Sequence, residues 1–201
     1  MMRKLISGGA LALATLTIAA GPAPMKWNVD VPHTGIEFSV NHFFTPISGK
    51  FDNYEIELMF DRENPANSSV EVRIDVQSVN TGNERRDTHL MSGDFFDAET
   101  YRYITFRSEE VRANGAGELV VRGPLTIRDQ THTVELPIHL LGVKDIPAEM
   151  REMLGGVEEV ASFQTGIEID RSDYGVGAGS WAAAMVVGHE VGIEIAVEAN
   201  R

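Results

Sequence analysis

Apolar and charged residues alternate without a break from Val70 to Gln77, as Val-Glu-Val-Arg-Ile-Asp-Val-Gln. Successive strand side chains point to opposite faces, so this run is a ribbon with one apolar side and one wet side. The pattern recurs almost to the C-terminus and predicts eight main strands, over 34–41, 54–61, 70–77, 104–111, 119–128, 132–141, 162–171 and 185–199. A short leading strand around 27–29 is placed to close a barrel. With no long amphipathic helix between them, such ribbons predict an all-β, antiparallel barrel curled round an apolar interior.

Local breaks refine the picture. The fourth run slips phase at Glu109-Glu110, as a bulge would. Asp129-Gln130-Thr131 reads as the turn of a hairpin between the fifth and sixth strands. Pro137 lies inside the sixth strand, so its nitrogen should face away from a ladder partner. Segments 83–92 and 147–154 lose the two-residue period and predict one or two short helices, the second opened by Pro147 and stopped by Gly155-Gly156.

The first 23 residues stand apart. Met1-Met2-Arg3-Lys4 is a basic start, residues 5–20 are apolar or small, and Pro22 and Pro24 follow. This is the pattern of a secretory signal peptide, too short and weakly apolar for a membrane span. Residues 24–201 are then expected to be a single exported domain, with no integral membrane span. It has no cysteine, so it depends on core burial rather than disulfides. Removing Arg3 and Lys4 takes the net charge from -13 to -15, which disfavours nucleic acid and anionic membrane surfaces as partners.

Motifs for chemistry are sparse. No Gly-x-Ser-x-Gly elbow occurs, and the glycines of 175–179 lack the lysine of a phosphate loop. The six histidines show no compact ligand spacing, so no metal site and no cofactor is expected. The densest polar signature runs from Ser78 to Leu90 and on to Asp94-Phe95-Phe96-Asp97. Either His42, Asp87 and His89 form a reactive trio in an enzyme, metal-dependent or acting on a lipid, or Asp87 pins a turn while Phe95-Phe96 plugs one barrel end. The second reading is preferred, and no catalytic residue is assigned.

Several motifs in order carry a resemblance. They are Trp27-x-Val29-Asp30-x-x-His33, Phe38-x-Val40-x-His42, Gly49-x-Phe51, the 78–97 block, Ile104-Thr105-Phe106-x-Ser108, Gly123-x-Leu125-Thr126-Ile127 and Arg171-Ser172-Asp173-Tyr174-Gly175. Over nearly all of the mature region the chain resembles the YceI-like family of secreted bacterial proteins. It departs from the family pattern at Arg102, Asp129 and His189 and in the helical insertion at 147–154.

The resemblance implies a lipocalin-like eight-stranded barrel, often dimeric, that binds long amphiphiles such as polyprenyl pyrophosphates or isoprenoid quinones. The expected function is therefore periplasmic binding, transport or sequestration of an isoprenoid lipid in an apolar tunnel, without catalysis. A barrel with a filled interior, serving as a stress-response interaction module, is the other alternative. The expected tunnel wall is Phe38, Val40, Phe51, Phe60, Ile74, Phe95, Phe96, Tyr101, Ile104, Phe106, Leu125, Ile127, Phe163, Ile167, Ile169, Trp181 and Met185. Arg86 and Arg171 are the candidates for a charged head group.

Overall fold

A computed structural model describes residues 24–181 and 185–201. The expected signal segment, 1–23, lies outside the described residues. In chain order the elements are β1 (Met25–Val29), β2 (Gly35–His42), β3 (Thr45–Phe51), β4 (Tyr54–Phe60), β5 (Ser69–Asp75), β6 (Val79–Asn80), α1 (Glu84–Met91), β7 (Tyr103–Arg107), β8 (Glu110–Ala113), β9 (Glu118–Ile127), β10 (Gln130–Asp145), α2 (Ala148–Arg151), β11 (Glu159–Asp170) and β12 (Val187–Asn200).

Every pairing is antiparallel, and eight strands close a ring in the order β1-β4-β5-β7-β9-β10-β11-β12 and back to β1. The fold is the all-β barrel that the alternation predicts, with its two short helices. The short leading strand closes it, as β1 pairs with β4 through Trp27↔Leu58 and with β12 through Asn28↔Asn200. Higher up, the same edge of β12 that holds β1 pairs with β2, which continues into β3 and β6 and supplies Phe38, Val40 and Phe51 to the barrel interior.

Sequence reading differs from the structure at identifiable places. β3 was not expected, because Pro46 and Gly49 interrupt its alternation. The run 104–111 is two strands, β7 and β8, broken where Ser108 Oγ accepts from the Val70 amide at 2.9 Å. Opposite the break sits Gly123, where a Cβ would lie 2.0 Å from the Arg107 carbonyl oxygen, so only glycine fits. The β9–β10 turn is Arg128-Asp129 rather than 129–131, with Arg128 in the left-handed region at φ 56°. Rungs between β10 and β11 begin at Ile138↔Thr165, and Gln130–Pro137 pair with β9 alone. Pro137, having no amide proton, stands where that ladder stops.

One barrel end is a solid floor. Trp27, Phe60, Leu119, Ala161, Phe163 and Ala199 form a buried cluster there. Phe60 meets Phe163 edge-on at 5.1 Å between ring centres, and Trp27 Nε1 donates to the Phe60 carbonyl at 3.2 Å. Just outside the floor, His33 Nδ1 lies 3.0 Å from Asp30 Oδ2 and 3.8 Å from Glu198 Oε1. The hydrogen bond to Asp30, then the two negative charges, raise the His33 pKa above its ordinary 6.5. Its contribution to stability is therefore complete below pH 6.5 and fades as pH climbs through the raised value. His33→Asn should remove that slope from a Tm series between pH 6 and 8. A His33 ring proton titrating at or below 6.5 by NMR would contradict the assignment.

Candidate functional site

The other barrel end carries α1, the Phe95-Phe96 pair and the loop 171–181. Asn83 caps α1, its Oδ1 accepting from the Arg86 amide at 3.1 Å. Asp87 Oδ1 accepts from both the amide and the hydroxyl of Thr81, tying the helix to the end of β6. Arg128 donates to the carbonyls of Phe95 (2.9 Å) and Gly175 (2.6 Å), joining the plug to the loop.

Between floor and plug lies a cavity of about 160 Å³ with a wholly apolar accessible wall. That is close to the roughly 150 Å³ of an engineered apolar cavity that takes up benzene. Twelve of the expected wall residues line it: Phe38, Val40, Phe51, Ile74, Phe95, Phe96, Ile104, Phe106, Leu125, Ile127, Ile167 and Ile169. The other five lie elsewhere. Phe60 and Phe163 belong to the floor, where aromatic packing fills the section. Tyr101 sits outside under the Arg128 guanidinium, 5.5 Å from its ring centre. Trp181 lies farther out, and Met185 is exposed on the rim.

Sequence reading missed wall residues on strands whose inward face it identified only in part, including Val72, Val134, Leu136, Ile193 and Ile195. Completing each period-two face would have found them. Tyr174 and Val176 enter the wall from the loop, where no periodicity exists to mark them. Burial pushes the Tyr174 phenol pKa up, so it stays neutral beside the apolar space.

Outside the plug a second space, of about 520 Å³, shares Phe38, Val40, Leu90, Phe95 and Val187 with the first. The two spaces adjoin along these side chains as a passage interrupted by the plug, and the outer section is mainly apolar with polar groups at its rim. Its rim bears His42, Thr81, Asn83, Arg85, Arg86 and His89. Arg86 Nε donates to Thr81 Oγ1 at 2.7 Å and Nη2 to the Thr81 carbonyl at 2.9 Å, leaving the rest of its fork available. Arg85, which sequence reading passed over, is exposed at the same rim and has no ion pair among the described residues.

Arg171 has a different role from the one expected. It is buried, at 4% exposure, and its five N–H groups go to five main-chain carbonyls. Nε donates to Gly188, Nη1 to Val176 and Gly177, and Nη2 to Trp181 and Val187, at 2.8–3.0 Å. A guanidinium has no further donor for a head group. It instead gathers 176–181 and 187–188 over the barrel end. Gly177, at φ 71°, approaches so closely that a Cβ would lie 2.3 Å from Arg171 Nη1.

His42, Asp87 and His89 are not brought into one hydrogen-bonded set. Asp87 holds Thr81, His89 Nε2 faces Asp94 Oδ2 at 3.2 Å, and the His42 ring packs edge-on against Phe43. Near the floor, ligand atoms of Asp30, His33 and Glu198 lie within 4.8 Å of one another, a grouping that His33's spacing from Glu198 conceals in the sequence.

A closed antiparallel barrel with an apolar lumen, plugged at one end and floored at the other, belongs to the class of small barrels whose interior has room for one small apolar ligand. Comparison with known proteins gives the family. The YceI-like domain matches residues 27–199, and the chain belongs to the YceI-like family. It is 32% identical over 177 residues to a UPF0312 protein of Vibrio cholerae, covering 88% of this chain and 89% of that one. The fold is similar to Burkholderia cenocepacia BcnA, with TM-score 0.75, 26% identity, and coverage of 85% of this chain and 99% of that one. It is also similar to a polyisoprenoid binding domain from Saccharophagus degradans implicated in plant cell wall breakdown, with TM-score 0.60 and 15% identity, covering 87% and 97%.

Proposed function

We propose that this protein binds a long-chain isoprenoid lipid, a polyprenyl pyrophosphate or an isoprenoid quinone, and carries or sequesters it in the periplasm. The observation that carries the reading is an apolar-lined cavity adjoining a larger outer chamber whose rim bears Arg85 and Arg86. A tail enters where water gains nothing by staying, while a polar head remains at the rim. The Saccharophagus fold relative, described as polyisoprenoid-binding, supports the same cargo class.

Magnitudes fit binding without chemistry. Each methylene withdrawn from water contributes about 0.8 kcal/mol, so a five-carbon isoprene unit offers up to about 4 kcal/mol. A cavity of this size takes one such unit or a small ring, and the remainder of a long tail extends through the outer chamber. Affinity should rise with the first units and then flatten as ordering of the tail offsets further burial.

The test is native mass spectrometry after gentle purification, followed by organic extraction. A co-purified prenyl lipid, recovered chemically intact after prolonged incubation, is the expected result. A clean protein mass together with no uptake of added prenyl quinone would refute the carrier reading, and conversion of the lipid would turn it into an enzyme.

A further inference from the structure

Beyond Lys26, the two longest stretches without Asp, Glu, Lys or Arg lie between Glu37 and Lys50 and between Asp173 and Glu190. They are far apart in sequence, in a chain of net charge -13. The fold brings them together at the open end of the barrel. His42 pairs in register with Val187, and the Phe43 amide donates to the Val186 carbonyl at 2.7 Å. Chance placement of charge-free sequence would not select the two loops that share the passage rim.

Among the described residues of these loops, three large apolar side chains stand exposed. Phe44 is 97% exposed, Met185 78% and Phe43 54%. Phe43 holds a left-handed backbone, φ 53°, a conformation usual for glycine or asparagine and strained for a bulky side chain. With Phe43 turned this way, both consecutive phenylalanines of the β2–β3 turn stand outside the barrel. Their neighbours His42 and Val187 line the outer chamber. Apolar tip and passage entrance are therefore continuous.

We infer that this end of the barrel docks on a lipid bilayer, with Phe43, Phe44 and Met185 entering the interfacial region. The inference rests on the carrier reading, since a tail can leave a membrane without crossing water only if the entrance is pressed against it. The occupant is a lipid surface rather than a protein because the exposed apolar side chains adjoin the chamber through which an apolar tail would enter. A bilayer accepts aromatic and thioether side chains at its headgroup level without requiring shape complementarity. The acidic body is repelled by anionic lipid, so attachment depends on insertion and not on charge. Salt, which screens that repulsion, should strengthen binding to anionic vesicles.

The experiment compares the wild-type chain with Phe43→Ser/Phe44→Ser and with Met185→Ser. Both variants change exposed side chains, and Tm is measured to confirm an intact barrel. Co-sedimentation with phosphatidylcholine vesicles should fall at least tenfold in the double variant and less in Met185→Ser. Uptake of a short-chain prenyl quinone dissolved directly in buffer should be unchanged. Equal vesicle binding by all three proteins would overturn the inference. So would a wild-type protein that takes up dissolved quinone yet ignores vesicles, or phenylalanine-dependent dimerisation in its place. Weakening of anionic-vesicle binding by salt would also overturn it, because basic residues would then hold the membrane. Vesicle binding that depends on Phe43 and Phe44 without any quinone uptake would keep the docking and remove the carrier reading.

Discussion

Val134→Phe should abolish most lipid binding while leaving the barrel as stable as before. Val134 lies on the upper half of β10, paired with Gly123 of β9, and its side chain lines the cavity. Val134 faces the roughly 160 Å³ space directly, so a phenyl ring turned into the cavity, away from the Arg107 backbone that packs on Gly123, has room to extend. Filling a cavity restores dispersion contacts, and Tm should stay level or rise. A ligand then loses the section of tail that the ring replaces. Excluding one isoprene unit removes up to about 4 kcal/mol, of which ordering of the tail already offsets part. A loss of at least tenfold is expected, read by quenching of intrinsic fluorescence with a prenyl quinone. Undiminished affinity in a folded Val134→Phe protein would mean that the cargo lies elsewhere.

Arg171→Lys and Arg171→Met should be nearly equal in effect, both destabilising. If the guanidinium served a head group, lysine would preserve its charge and much of the binding. As the pin of the loop, it needs a planar fork with five donors, and lysine has three on one point. Either substitution strands main-chain carbonyls in a buried setting, at about 1–3 kcal/mol for each that finds no water. A total on the order of 3–5 kcal/mol lowers Tm by roughly 10 °C for a domain of this length. Release of bound lipid should quicken as the loop loosens over the cavity. Arg85→Ala provides the contrast, since Arg85 is exposed and has no ion pair among the described residues. It should leave Tm within about 1 °C and weaken only ligands with a charged head. Wild-type stability in Arg171→Lys would remove the pin assignment.

The strand alternation was legible because burial on one face imposes a two-residue period whatever the neighbours are. β3 was not, because Pro46 and Gly49 interrupt the alternation of a strand whose place is fixed by its pairing with β2. The wall residues from β7, β9 and β11 were found by the same logic. Phe60 and Phe163 belong to that inward face too, yet they fill a floor. Inward direction is a local property, whereas depth along the barrel depends on the register of every strand in the ring.

The same division separates what the chain alone determined from what its folding decided. The all-β class, the inward apolar faces, the short helices and the family resemblance follow from residue order, because each depends on periodicity or on motifs within a few dozen residues. Three features came only from the closed structure: an open section between floor and plug, the capture of Arg171 by five carbonyls, and the meeting of two charge-free loops at one rim. Each requires segments distant in sequence to share a few ångströms of space. Arg171 makes the reason plain. Beside Ser172 and Asp173 in sequence it is an ordinary exposed-looking cation, and only the approach of 176–181 and 187–188 converts that charge from a hand held out to a ligand into the knot that ties the barrel's end.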